Sequence, residues 1–409
     1  MKILAGRWLF DGENIVENMA VAFDEKDGNI VATGSAEILE TRFPDVPIER
    51  FEADTIIIPG LVNPHVHLEF GAHTTELEYG DFMGWLQSVI AHRETIVESC
   101  RASCYKKQID AMAQSGITTF GAVSSYGKDM RACHAAPQRV VYFNEAIGSQ
   151  PAAVDALYHD FSARLHESMK LANEKFVPAV AIHSAYSVHP ILIKKILKEH
   201  GDLLLTAHFM ESPAEKEWLE KGEGDFKPFF ENLLKQNRPL ATPGEFLSQF
   251  KGKRVLLTHA VQADDALLDK IADAGHTITH CPRSNRLLGC GRLSIQRLQK
   301  RGIGCLLGTD GLSSNTSLSL WDEMRAALMM HHDEDLRKLA ISLLRACTST
   351  AACALNLPIG RIAEGMSADI AVVTLPSKLK SADQVVLEAI LHTDNVDRLY
   401  IKGKQHAIK

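Results

Sequence analysis

The chain has 409 residues, 45% of them hydrophobic, and a formal net charge of −7. That much apolar material supports a large buried core, read either as one big barrel with an accessory unit or as two domains. The absence of a basic tract argues against nucleic acid or an anionic membrane as partner, and no apolar run is long enough to span a bilayer.

The opening stretch "MKILAGRWLFDGENIV" carries one early Lys, a short apolar patch and then acidic residues, with no small-residue cleavage site. It does not read as a secretory signal, and a cytoplasmic location is expected. The eight cysteines are scattered without a CxxC pair, which reads as reduced thiols. Cys100 and Cys104 stand four apart on a predicted helix and read as small core-facing residues.

Residues 1–58 read as β structure: "ILAGRWLF", "NMAVAFDE", "GNIVATG" and "TIIIPG" are short β-rich runs separated by DG and Gly turns. "DIAVVTLP" and "DRLYIKG" near the C-terminus have the same character. Between them, short apolar strands alternate with longer helical patterns. The strands are "TIIIPGLVNPHVH", "GITTFGAVS", "RVVYFNEAIG", "VPAVAIHSAYS", "LLLTAHFMES", "RVLLTHAV", "HTITHCPRSN" and "GIGCLLGTDG". Eight such units predict an α/β fold, a (β/α)8 TIM barrel. The expected division is a small β-sandwich from residues 1–58 plus 361–409 and a barrel from 59–360. The stretch "LLKQNRPLATPGEFLSQFKGK" lengthens one βα unit and is expected near the barrel mouth.

Each strand turns polar at its C-terminal end, where a barrel gathers its active site. Those ends carry His65 and His67, Glu145, His183, His208 with Glu211, His259, His280 and Asp310. A single His at a strand end is more often structural; seven strands ending in His or a carboxylate are hard to explain so. Imidazoles and carboxylates are the ligands that Zn²⁺ and similar ions take. In the run His65–Val66–His67, the strand period of two puts both imidazoles on one side.

"PGLVNPHVHLEF", "AHFMES", "LLTHAV", "HCPRSN", "LGTDG" and "GRIAEGMSADIAVV" together resemble the amidohydrolase superfamily, in its order and over almost the whole chain. The resemblance implies a (β/α)8 barrel with a small β-sandwich built from both termini. Position by position it makes His65, His67, His208 and Asp310 metal ligands. Glu211 would shuttle protons, and His259 and Asp310 would act on the attacking water. His183 would contact substrate. The fourth strand lacks the Lys that bridges two metals, so one divalent ion per chain is expected, Zn²⁺ or Fe²⁺; Glu145 is read as a substrate-side residue.

The set H-x-x-E, sixth-strand His and eighth-strand Asp suits deamination of an amino-substituted heterocycle. The segment "YGDFMGWLQSV" resembles the aminofutalosine deaminases, which convert 6-amino-6-deoxyfutalosine to futalosine on a route to menaquinone. That implies a small-molecule nucleoside substrate, with Phe82 and Trp85 packing on it and Arg283 or Arg286 binding its carboxylate. The alternatives are a methylthioadenosine/S-adenosylhomocysteine deaminase, a guanine deaminase, a binuclear cyclic-amide hydrolase, or a scaffold without activity. A homodimer is compatible with the fold. His73, His92 and His189 are placed near the mouth, and His200, His331 and His332 away from the chemistry.

Overall fold

The computed structural model describes residues 1–51, 54–376, 379 and 381–408. Eight parallel strands follow one another around a barrel in chain order: Leu61–Val66, Ile117–Ser124, Arg139–Ala146, Phe176–Ile182, Leu205–Phe209, Val255–His259, Thr277–His280 and Cys305–Leu307. Every strand falls inside a run read as a strand from sequence except the fourth, which starts one residue earlier, at Phe176. The run "TIIIPGLVNPHVH" divides at Gly60 into Thr55–Pro59, which joins the other sheet, and Leu61–Val66, which opens the barrel.

The second sheet takes strands from both ends of the chain. Its order is Lys404–His406, Arg398–Ile401, Ile370–Thr374, Thr55–Pro59, Lys2–Phe10, Ile15–Phe23 and Ile30–Gly34. It forks at the first strand, where Ile3–Ala5 pair with Ile48–Arg50 and Trp8–Leu9 with Ile56–Ile57. The expectation that 1–58 is β throughout needs one correction. Ala36–Arg42 is a helix, started by Ser35, whose hydroxyl accepts the Ile38 amide at 3.3 Å.

The first barrel strand breaks strict alternation. Val62 packs inside the barrel, with Val123, Val141, Phe143, Ala179, Ala181 and Leu306. Leu61 and Val66 pack outside, among the surrounding helices. The pairing register shifts between Asn63 and Val66. That shift lets Val62 and the two histidines all face inward, which a regular strand would not allow.

The barrel closes between the eighth and first strands through side chains as well as backbone. The Asp310 amide donates to the His65 carbonyl at 3.2 Å, and Asn63 Nδ2 donates to Thr309 Oγ1 at 2.8 Å. Asn63 Oδ1 also accepts the Thr309 amide at 3.3 Å. Pro64 has no N–H to give to a ladder, so Asn63 supplies the bonds that the strand beside it needs.

Over the barrel mouth lies a long helix, Phe82–Ser99, capped by Asp81, whose carboxylate accepts the Gly84 amide at 2.7 Å. Its entry is pinned by the Gly80 amide donating to Leu287 O at 2.7 Å. Gly289 has to be glycine there: a Cβ would sit 2.5 Å from the Gly80 carbonyl oxygen, and its φ is +67°. The helix ends before Cys100, which is disulfide-bonded to Cys104, with Cα atoms 5.2 Å apart. This corrects the reading of these two cysteines as reduced residues of one helix. The chain turns at Cys100–Arg101, and the turn brings the two residues within bridging distance. Among the described residues no helix is long and apolar enough to cross a membrane.

The Asn63 bonds yield a stability prediction. Asn63→Ala leaves the Thr309 amide and hydroxyl without those partners in a fully buried site and should cost about 1–3 kcal/mol. Urea denaturation of the variant checks this.

Candidate active site

The C-terminal strand ends bring six titratable residues into one buried cluster. His65 and His67 come from the first strand, His208 from the fifth, His259 from the sixth, Asp310 from just beyond the eighth, and Glu211 from just beyond the fifth. Several of these turns run through left-handed backbone: Met210 at φ 48°, His259 at 72°, Ala260 at 50° and Asp310 at 55°. Non-glycine residues in that region are held there by surrounding bonds, and they concentrate where a side chain must be aimed.

The aiming is visible atom by atom. His208 Nδ1 donates to the His183 carbonyl at 3.0 Å, so its Nε2 carries a lone pair. That Nε2 lies 3.2 Å from His67 Nε2. His65 Nδ1 is held at 3.3 Å by Thr258 Oγ1, and its buried Nε2 has no hydrogen-bond partner among the described residues. Asp310 Oδ2 accepts from Ser284 Oγ and Ser314 Oγ, both at 2.7 Å. Its Oδ1 faces His65 Nε2 at 3.5 Å and His67 Nε2 at 3.6 Å.

These atoms fit a divalent cation. Two nitrogens bound tetrahedrally to Zn²⁺ at about 2.0–2.1 Å lie roughly 3.3 Å apart, close to the spacing of the two Nε2 atoms. Burial, reinforced by the neighbouring imidazoles, lowers the pKa of His67 to about 4 and that of His208 well below its usual value, so both are neutral ligands. Asp310 stays ionised: burial works to raise its pKa, but the His65 bond and the nearby imidazoles outweigh it.

Glu211 and His259 stand beside this cluster. Glu211 Oε1 is 3.5 Å from His259 Nε2. His259 Nδ1 meets Asn285 Oδ1 at 2.9 Å, which assigns the proton to Nδ1 and leaves Nε2 as a base. Burial, with Asp310 and Glu215 nearby, raises the Glu211 pKa well above the usual carboxylate value. That shift favours the acid form, which suits Glu211 to donate a proton.

Around the cluster opens a cavity of about 430 Å³ whose walls are mainly apolar. His183, Glu145, Phe82 and Trp85 line it. Trp85 Nε1 donates to Ser313 O at 2.8 Å, tying the mouth helix to the Asp310 loop. His183 is held through Nδ1 by Ser187 at 2.6 Å, and burial lowers its pKa to about 4. Glu145 Oε2 accepts from Ser125 Oγ at 2.6 Å. Phe229 and Phe230 form another wall together with Leu233 and Leu234, the first two residues of the stretch expected near the mouth.

Arg283 and Arg286 do not line the cavity, which corrects their placement as carboxylate binders. Arg283 is held by Ser317 at 2.8 Å, by Thr316 and by Asp322, and Arg286 is exposed. The turn after His280 becomes a short helix, Pro282–Leu287, that directs Ser284 and Asn285 inward and the arginines away. His73, His92 and His189 also lie outside the cavity lining.

Sequence reasoning missed several residues that hold the cluster. Glu215, fully buried, accepts the amides of Met210 at 3.0 Å and Glu211 at 2.6 Å and so fixes the turn that carries Glu211. The signal was present in "SPAE": Ser212 caps the following helix by accepting the Glu215 amide, the S-x-x-E pattern of a helix start. Ser284 and Asn285 were legible only as members of the motif "HCPRSN", and Ser314 lies outside the motifs.

Residues 56–406 match the pattern of the amidohydrolase family. The chain belongs to the amidohydrolase family. Relatives of this amidohydrolase include an aminodeoxyfutalosine deaminase of a Nitratiruptor species, 42% identical over 99% of both chains. An adenosine deaminase of Helicobacter pylori is 32% identical over 96% of this chain and 95% of that one. The crystal structure of Helicobacter pylori aminofutalosine deaminase in complex with methylthio-coformycin superposes with a TM-score of 0.93 at 31% identity, covering 100% of both chains.

Removing one of the hydroxyls that hold Asp310 should weaken cation binding without unfolding the barrel. Ser314→Ala is expected to lower affinity for the ion about 10- to 100-fold, read as faster metal loss in a chelator titration.

Proposed function

We propose that this amidohydrolase is a nucleoside deaminase that hydrolyses the adenine amino group of 6-amino-6-deoxyfutalosine, giving futalosine and ammonia for menaquinone formation. The observation that carries this reading is Glu211, buried 3.5 Å from His259 at the floor of an apolar cavity, where burial raises its pKa. A carboxyl group there can protonate a ring nitrogen of a bound purine. The aminodeoxyfutalosine deaminase relative supports the choice of substrate.

His65, His67, His208 and Asp310 would hold one cation, Zn²⁺ or Fe²⁺. When bound, it would lower the pKa of a coordinated water to about 7. A second ion at Glu145, His183 and His208 is disfavoured. His208 meets Glu145 through Nδ1, 3.8 Å away, and that nitrogen already donates to the His183 carbonyl.

The chain's own groups then divide the proton transfers. Glu211 protonates the ring nitrogen next to the carbon that bears the amino group, which draws electrons from that carbon. His259 Nε2 and Asp310 Oδ1 accept a proton from the attacking water, whose oxygen adds to the same carbon. The amino group, once protonated, leaves as ammonia, and its place is taken by oxygen. His183 and Glu145, beside the cluster, contact the nucleoside, and Phe82 and Trp85 exclude water above it.

A second reading, deamination of methylthioadenosine or S-adenosylhomocysteine, is favoured by the apolar outer wall, which would accept a thioether arm as readily as an aromatic one.

An ammonia-release screen separates the two: turnover should be highest with 6-amino-6-deoxyfutalosine, and preference for methylthioadenosine would replace the first reading by the second. Glu211→Gln should lower kcat at least about 100-fold with the metal content unchanged. Retained activity would remove Glu211 from its role.

A further inference from the structure

The cavity wall holds one cationic side chain of the Lys or Arg type, Arg93, and the sequence reading had no role for it. It lies on the mouth helix Phe82–Ser99, on the face that presents Phe82, Trp85, Leu86, Val89 and Ile90 to the same cavity. The spacing is i, i+3, i+4, i+7, i+8 and i+11, a single helical stripe. Five members of the stripe are apolar and the last is a guanidinium.

Its place along the stripe is informative. Trp85 is bonded to Ser313 in the Asp310 loop and so marks the cavity floor. Arg93 sits two turns further on, roughly 12 Å along the axis at 1.5 Å per residue. That separation suits a purine on the floor with a ribose and one further group between. Tyr126 stands beside the guanidinium: burial raises its hydroxyl pKa, and the Arg93 charge opposes the rise. Among the described residues no carboxylate oxygen lies within 4.0 Å of Arg93, so its fork has no ion-pair partner. In contrast, Arg283 and Arg292 are bonded to Asp322 and Asp333.

We propose that Arg93 recognises a carboxylate carried on the arm of the nucleoside furthest from the reacting base, and so selects acid-bearing nucleosides over neutral ones. This rests on the nucleoside-deaminase reading above. A guanidinium offers two parallel N–H donors to a carboxylate, and the exposed Arg93 stands at the rim of a cavity whose lining also holds the apolar Ile90, Leu233 and Leu234. The same lining would flank an aromatic ring bearing that carboxylate.

The test compares kcat/KM for 6-amino-6-deoxyfutalosine and for its methyl ester in the wild-type, Arg93→Met and Arg93→Lys enzymes. Wild type should prefer the acid. Arg93→Met should lower the acid-over-ester preference about 10- to 100-fold, chiefly through KM for the acid, and Arg93→Lys should recover part of it. An unchanged preference in Arg93→Met, or an equal loss on acid and ester, overturns the role of Arg93 while leaving the deaminase reading intact. A wild-type enzyme that turns over neither compound overturns both.

Discussion

Two buried imidazole nitrogens, His67 Nε2 and His208 Nε2, face each other at 3.2 Å with Asp310 Oδ1 close by. Much of this fold exists to maintain that contact. Two ring nitrogens this close share either the N–H of one ring or a cation; among the described residues His67 Nδ1 has no hydrogen-bond partner to fix its tautomer, and the carboxylate and third imidazole around the contact complete a donor set that suits a cation. Three participants are turned inward by a bond at their other end: the His183 carbonyl on His208, Thr258 on His65, two serines on Asp310. The left-handed turns at His259 and Asp310, the register shift before His65 and the Asn63 bonds that close the barrel all serve the same convergence.

Above this polar floor the cavity is apolar, and the two parts have different duties. On the proposed reading the floor moves the protons: Glu211, whose pKa burial raises, lies next to the imidazole of His259, whose Nδ1 meets Asn285. The walls position what is to be deaminated. They come from segments outside the barrel strands, the mouth helix and the inserted helix Phe226–Leu234, so substrate choice can differ between relatives that share the floor. The mouth helix is tied down at its start by Gly80 and Trp85 and at its end by the Cys100–Cys104 bridge.

How much of this was legible in the sequence follows the range of the interactions. The eight strands were readable because each is a short apolar run ending in a polar residue, and the histidines because the H-x-H spacing is set by the strand itself. The helix Ala36–Arg42 was hidden among β-rich runs, its Ser35 cap being the one local clue. The bridge between Cys100 and Cys104 depends on a helix ending at Ser99, which apolar periodicity does not reveal. Arg283 and Arg286 sit in a motif at the mouth in sequence, yet a six-residue helix turns them away, while Arg93 reaches the cavity from a helix whose direction only the tertiary structure sets. The S-x-x-E pattern marked Glu215 as a helix-start residue and a motif contained Asn285, but their bonds, to the Met210 and Glu211 amides and to a ring nitrogen of His259, are set by the fold.

The central claim is that these side chains bind one divalent cation at the point where their lone pairs meet. Anomalous diffraction at the absorption edge of the metal found in the purified protein tests it most directly. A single strong peak enclosed by His65, His67, His208 and Asp310 is the result expected. No peak there, or a second peak of equal height between Glu145 and His183, would contradict the account.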